Sequence, residues 1–157
     1  MPAACARLDG PEATDRLAAA LAPHLGAGAT VLLGGGLGVG KTHLARGLVQ
    51  ALLGRAVEVP SPTFNVVRTY DASGFAIWHA DLYRLEDPSE VAETGLEDAI
   101  GDALCLVEWP ERLGWTPPGA LEVRLSHAGP DARDVCLEGD APWEPAIRAA
   151  ETALTHA

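Results

Sequence analysis

A single α/β domain carrying β-hairpin additions is the fold that this sequence predicts, and three observations predict it. A short apolar strand, a glycine-rich loop and a helix follow one another between residues 30 and 54. A second continuous apolar run, residues 103–107, ends in a carboxylate. Two pairs of strand-like segments flank turn signals, one pair around Asp71-Ala72-Ser73-Gly74 and one around Gly129-Pro130. At 157 residues the chain has the size of one domain able to bury a proper core, with a loose tail expected over its last few residues.

The first of these observations carries the chemistry. Gly35-Gly36-Leu37-Gly38-Val39-Gly40-Lys41-Thr42 reads G-x-x-x-x-G-K-T, a phosphate-binding loop. Thr30-Val31-Leu32-Leu33 before it suits a buried strand; Leu44, Leu48, Ala51 and Leu52 after it recur at helical spacing until Gly54. Strand, loop and helix together aim successive backbone N–H groups and a helix N-terminus at one anion. The glycines let the loop take positive φ and let backbone approach phosphate. In such a loop Lys41 sits on the β- and γ-phosphates and the Thr42 hydroxyl ligates Mg²⁺. Lys41 is the only lysine in the chain; every other cationic side chain is arginine. A compact ammonium on a flexible stem has been kept where phosphate is expected.

Composition narrows the partners. The apolar share of 48% and charged share of 21% are those of an ordinary globular protein, and no apolar run reaches the length of a membrane span. The first eight residues lack a basic stretch followed by an apolar core, so no secretory signal is expected and a cytoplasmic location is. Cys5, Cys105 and Cys136 form no C-x-x-C pair and are expected to be reduced thiols. With a formal net charge of −11 and scattered arginines, direct nucleic-acid binding is not expected; RNA would be reached through a partner.

In chain order, Pro11–Leu25 reads as a helix with Leu17, Leu21 and Leu25 on one stripe and Gly26 and Gly28 ending it. Two prolines bracket Ser61 in Pro60-Ser61-Pro62-Thr63-Phe64, forcing an extended stretch. That stretch is either a stiff connector or a switch-like segment whose Ser61 or Thr63 reaches Mg²⁺ or the γ-phosphate. Residues 65–70 and 75–83 form the first expected hairpin; on its second strand His79 and Asp81 share a face. Asp81 is then a metal-water ligand or base, or else it caps the following turn and pairs with Arg84, while His79 reads as a hydrogen-bonded structural histidine. Asp87-Pro88-Ser89-Glu90 opens a short helix ending near Gly95. Ala103–Val107 with Glu108 at its tip has the form of a Walker B strand, whose carboxylate holds Mg²⁺ or orients water. Residues 121–125 and 134–138 form the second hairpin, and 145–154 a terminal helix.

The blocks Leu37–Thr42, Ser61–Phe64, His79-Ala80-Asp81-Leu82-Tyr83-Arg84-Leu85 with Asp87-Pro88, and Cys105-Leu106-Val107-Glu108-Trp109-Pro110 occur in an order that resembles the TsaE (YjeE) family. The phosphate loop alone is shared very widely; the D-L-Y-R and V-E-W-P blocks at their separation from it are far more specific. The resemblance spans nearly the whole chain. It implies a three-layer P-loop NTPase domain on a mixed parallel and antiparallel sheet. It implies a weak Mg²⁺-dependent ATPase acting with the TsaB–TsaD pair in threonylcarbamoyladenosine modification of tRNA, at the adenosine beside the anticodon. By position it makes Lys41, Asp81 and Glu108 catalytic and Thr42, Glu108 and Asp81 metal-binding. The nucleotide contacts it implies are Gly38, Val39, Gly40, Lys41, Thr42, His43, Ser61, Thr63, Trp109 and Arg133, with Glu12 a further one. Two departures stand out: Gly36 where the family usually carries an acidic residue, and His43 in place of a small hydroxyl residue.

Rival readings remain. A small-molecule kinase needs a lid with paired arginines and an acceptor pocket, and no arginine pair occurs between Arg84 and Arg133. A GTPase needs N-K-x-D, and the one lysine is already in the phosphate loop. A nucleotide-gated scaffold, in which ATP binding matters and hydrolysis is incidental, is left open by the sequence.

Overall fold

The computed structural model describes residues 1–54 and 66–155, which build one seven-stranded sheet with helices on both faces. At its centre β2 (Thr30–Gly35) pairs in parallel with β5 (Leu104–Glu108) and with β6 (Leu121–His127). Every residue of β5 is buried, which is why its sequence is an unbroken apolar run closed by a single carboxylate. On the far side of β5 lies β4 (Phe75–Asp81), also parallel, in a register that sets Asp81 opposite Glu108.

The two hairpins extend the sheet at both sides. β3 (Val67–Ala72) runs antiparallel to β4 through a turn at Ser73-Gly74, where Gly74 takes a φ of 90°. β7 (Arg133–Glu138) runs antiparallel to β6. With β1 (Ala3–Leu8) at one edge, the strand order is β1-β7-β6-β2-β5-β4-β3, a mixed sheet as expected.

Helices α1 (Pro11–Leu21), α2 (Lys41–Leu53) and α5 (Glu144–Thr155) cover one face. Leu17, Leu21, Leu44 and Leu48 meet Val31, Leu33, Leu106 and Val123 there in the larger core, each such leucine contributing about 1.5–3 kcal/mol of burial. The short helices α3 (Pro88–Ala92) and α4 (Leu96–Ala99) cover the opposite face over β4 and β5, with Val91 and Leu96 against Ala80, Cys105 and Val107. The result has three layers. Asp87 caps α3 by accepting the Ser89 N–H at 2.9 Å.

Three local differences from the sequence reading have physical causes. The first helix is α-helical only to Leu21; residues 22–24 tighten into a 3-10 turn, because Pro23 has no N–H to donate and crowds the preceding turn. The helix opened by Pro88 ends at Ala92, near Gly95 as expected, but Gly95, free to take a φ of 82°, then serves as the N-cap of a further short helix, α4, that the sequence reading did not include. Most consequential, Ala3–Leu8 forms β1, antiparallel to β7, in a segment whose alanines give almost no strand signal. That pairing sets Cys5 opposite Cys136, and the two form a disulfide across 131 positions. The expectation of three reduced thiols is therefore corrected: only Cys105 is a free cysteine, buried on β5, its thiol pushed up to about 12 by burial. Among the described residues no helix is long and apolar enough to cross a membrane.

Candidate active site

The carboxyl ends of β2, β4 and β5 meet the N-terminus of α2 at one place. At the end of β2, Gly35 takes a φ of 132°, where an added Cβ would meet Leu125 O at 2.3 Å; only glycine lets the chain leave β2 this closely against β6. Gly38 and Gly40 have φ of 71° and 109° with nothing within 4 Å of an added Cβ, so the loop opens onto free space. Helix α2 starts at Lys41 with no side-chain cap, and its first bond is Leu44 N–H to Gly40 O. The N–H groups of residues 41–43 thus precede the first intrahelical bond and stand at the positive end of the helix dipole. This is an anion cradle.

The polar side chains converge beneath it. Thr42 Oγ1 donates to Glu108 Oε1 at 2.6 Å, and His79 Nε2 donates to the other carboxylate oxygen at 2.6 Å. Glu108 is 2% exposed and His79 fully buried. Asp81 lies level with Glu108 on the neighbouring strand and accepts the Tyr83 N–H at 3.1 Å, which caps the turn after β4. Burial holds its carboxyl above the usual aspartate range, the Tyr83 hydrogen bond working against that and the Glu108 charge with it. Lys41 is 4% exposed: its Nζ donates to Gly35 O at 2.5 Å and lies 3.4 Å from the centre of the Trp109 ring. Burial pulls its ammonium below the usual lysine range, against the pull of Glu108, Glu111 and Asp81. Trp109 is held at a φ of 58°, unusual for a bulky residue, and packs on Tyr83 with ring centres 4.9 Å apart.

Two cavities flank the loop. One of about 450 Å³ is lined by residues 37–43 together with Asp81, Tyr83, Arg84, Glu108 and Trp109. The other, about 230 Å³, lies beyond Val39 and Gly40, between the start of α1 and the 130–133 turn. Arg133 lines it and donates from Nε to Val39 O at 3.2 Å. A cavity of about 580 Å³ behind Gly34 and Gly35, on the other sheet face, contains none of the expected site residues.

The chain is similar to known proteins along most of its length. A family model described as threonylcarbamoyl adenosine biosynthesis protein TsaE matches residues 8–135. The chain belongs to the TsaE family. Curated TsaE relatives, each named a tRNA threonylcarbamoyladenosine biosynthesis protein, include one from Rickettsia conorii, 44% identical over 120 residues and 75% of this chain and 68% of its own length. The one from Bacillus subtilis is 35% identical over 127 residues, covering 80% of this chain and 78% of its own. The crystal structure of Bacillus subtilis YdiB superposes with a TM-score of 0.75 at 25% identity, covering 99% of this chain and 96% of that one.

In this TsaE-family chain the expected residues are therefore distributed as follows. Gly38, Val39, Gly40, Lys41, Thr42, Asp81, Glu108 and Trp109 line the larger of the two flanking cavities. His43 borders both cavities and bonds Asp15 at 3.0 Å. Arg133 belongs to the smaller one. Glu12 is exposed in the first turn of α1, beside that cavity's Gly10 and Pro11 without lining it. Ser61 and Thr63 lie outside the described residues. Sequence reasoning missed the His79–Glu108 bond, the seat of Lys41 on Trp109 and the part of Tyr83; only the parallel β4–β5 register reveals the first.

As a test of whether Mg²⁺ fits, Thr42 and Glu108 present two oxygens at one point, while among the described residues no group of three or more His, Cys, Asp or Glu side chains is placed to hold a metal ion by itself. That donor set suits an ion that keeps its waters and takes the rest of its shell from phosphate.

Proposed function

We propose that the chain is a Mg²⁺-dependent ATPase of threonylcarbamoyladenosine formation on tRNA, working with the TsaB–TsaD pair. The observation that carries it is the meeting of an uncapped helix N-terminus with the Thr42–Glu108 pair at the mouth of a cavity of about 450 Å³. ATP is the substrate. The loop N–H groups bind its β- and γ-phosphates, and Lys41 leaves Gly35 O and the Trp109 ring to reach them. The smaller cavity beside Arg133 takes the remainder of the nucleotide. Thr42 and Glu108 would hold Mg²⁺, which would supply charge neutralisation to the phosphates. Asp81, beside Glu108 and above its usual pKa, orients the attacking water or its proton. With so little covalent chemistry for the protein to do, positioning accounts for most of the rate.

Partner dependence rests on the family membership and on the charge of −11, which disfavours direct tRNA binding. The test is ATP hydrolysis by the purified chain, alone and with its cognate TsaB–TsaD pair, against Lys41→Ala as blank. Low activity that rises with the pair is the expected result. Activity that Lys41→Ala leaves unchanged sinks the ATPase assignment. A nucleotide-gated scaffold is instead indicated if Glu108→Ala still binds ATP and still supports tRNA modification.

A further inference from the structure

His79 is fully buried, yet it is one of the most polar side chains in the interior. On its own face of β4 it follows Ile77, and its neighbour across to β5 is Leu106; both belong to the larger apolar core. Its Nδ1 is buried with no hydrogen-bond partner among the described residues. Among the described residues its one side-chain hydrogen bond runs from Nε2 to Glu108 Oε2, at 2.6 Å. Burying an imidazole with half its polar capacity unmet is costly, and an apolar side chain would fill the same space without that cost. What an apolar side chain would not do is hold one oxygen of Glu108.

The geometry of that carboxylate says what holding it achieves. With Oε2 tied to His79, Oε1 is left directed at the Thr42 hydroxyl, 2.6 Å away. The two oxygens that the proposed site offers to Mg²⁺ are thereby brought together before any ion arrives. A glutamate side chain at a strand tip has three rotatable bonds, and without an anchor the ordering of that rotor is charged against binding.

We infer that His79 is a positioning residue: it clamps Glu108 Oε2 so that Oε1 and Thr42 Oγ1 form a preset half-site for the divalent cation that accompanies the nucleotide. The inference rests on the nucleotide reading above and assigns His79 no contact with metal or substrate. Partners that orient a ligating carboxylate typically carry about 10–100-fold in metal affinity.

The experiment measures binding of a fluorescent ADP analogue to the full chain, with excess Mg²⁺ and with EDTA, for wild type, His79→Leu, His79→Gln and His79→Asn. The glutamine amide reaches the position of Nε2; the asparagine amide stops short of it. His79→Leu is expected to bind the analogue normally in EDTA and to lose about 10–100-fold of the gain from Mg²⁺. His79→Gln restores most of that gain and His79→Asn does not. Should His79→Leu fail to fold, the contrast between glutamine and asparagine carries the test. Folded variants that all keep the wild-type Mg²⁺ gain overturn the inference. So does equal loss of affinity with and without the ion, which makes His79 a packing residue. Wild-type protein that binds no analogue, or gains nothing from Mg²⁺, overturns the nucleotide reading itself and the inference with it.

Discussion

Thr42 Oγ1 and Glu108 Oε1, 66 positions apart in sequence, lie 2.6 Å from each other and join the first turn of the loop helix to the tip of β5. In the nucleotide-free protein this bond is structural, so Thr42→Val loses about 1–3 kcal/mol of stability, read from urea denaturation. The same substitution removes one of the two oxygens proposed for Mg²⁺. Nucleotide affinity in EDTA is expected to survive while its enhancement by Mg²⁺ is lost. A Thr42→Val protein that still shows the full enhancement places the ion elsewhere.

Lys41 and Trp109 form a second pair with consequences in solution. The ammonium sits 3.4 Å from the indole centre, and under the proposed function phosphate binding draws it away. Tryptophan emission is therefore expected to change on titration with ATP, although Trp78, Trp115 and Trp143 contribute to the total. Trp109→Phe should abolish the change and leave the remaining signal flat. A change of equal size in Trp109→Phe assigns it to another indole.

The loop glycines separate fold from binding. Gly35→Ala drives a Cβ to 2.3 Å from Leu125 O at a φ of 132°, and the strain of such a backbone costs about 1–3 kcal/mol before any contact is relieved. Gly40→Ala meets no atom within 4 Å, so its cost is the left-handed backbone alone, about 1–2 kcal/mol. Its methyl group instead enters the space proposed for phosphate. Gly35→Ala should lose more stability by thermal melting, and Gly40→Ala should stay folded with nucleotide binding lost. The reverse order contradicts the cradle described above.

Asp81 makes a prediction about pH. Its folded-state pKa is raised, chiefly by burial, so the folded protein favours the protonated form. Its contribution to stability is most favourable below the unfolded aspartate value of 3.8 and is lost as pH rises through the elevated folded value. Asp81→Asn keeps an oxygen for the Tyr83 N–H and has no charge to bury. Without nucleotide or metal, its melting temperature is expected to exceed that of wild type at pH 7. The gap should close as pH falls through the elevated value towards 3.8. A gap that stays constant down to pH 3 assigns the effect to something other than this carboxylate.

What was legible in the sequence follows from how local each feature is. The strand, loop and helix at 30–54 could be read because glycine, β-branched and leucine periodicities all fall within one window. Glu108 could be read because a buried parallel strand leaves its one charge at the tip. Asp81 as a turn cap could be read because its acceptor role is satisfied two residues on. The bond from His79 to Glu108 could not, since it depends on two strands settling in register across 29 positions. β1 was invisible because Ala3, Ala4 and Ala6 become strand only when β7 supplies their hydrogen bonds.

With β1 went the disulfide, and it supplies the last prediction. Cys5 is exposed on the edge strand and bonded to Cys136, 131 positions away, so the crosslink closes most of the chain into one loop. A constraint on the unfolded chain of that length is worth about 2–5 kcal/mol, and Cys5→Ser should melt correspondingly lower under non-reducing conditions. Thiol titration gives an independent reading. Oxidised protein unfolded in denaturant should present one reactive thiol, Cys105, and three after reduction. In the folded protein even that one should be silent, because Cys105 is buried and its thiol is pushed up to about 12. Three thiols from unreduced protein in denaturant would mean that β1 and β7 pair without the covalent bond, and that their hydrogen bonds and the packing of α5 hold the edge alone.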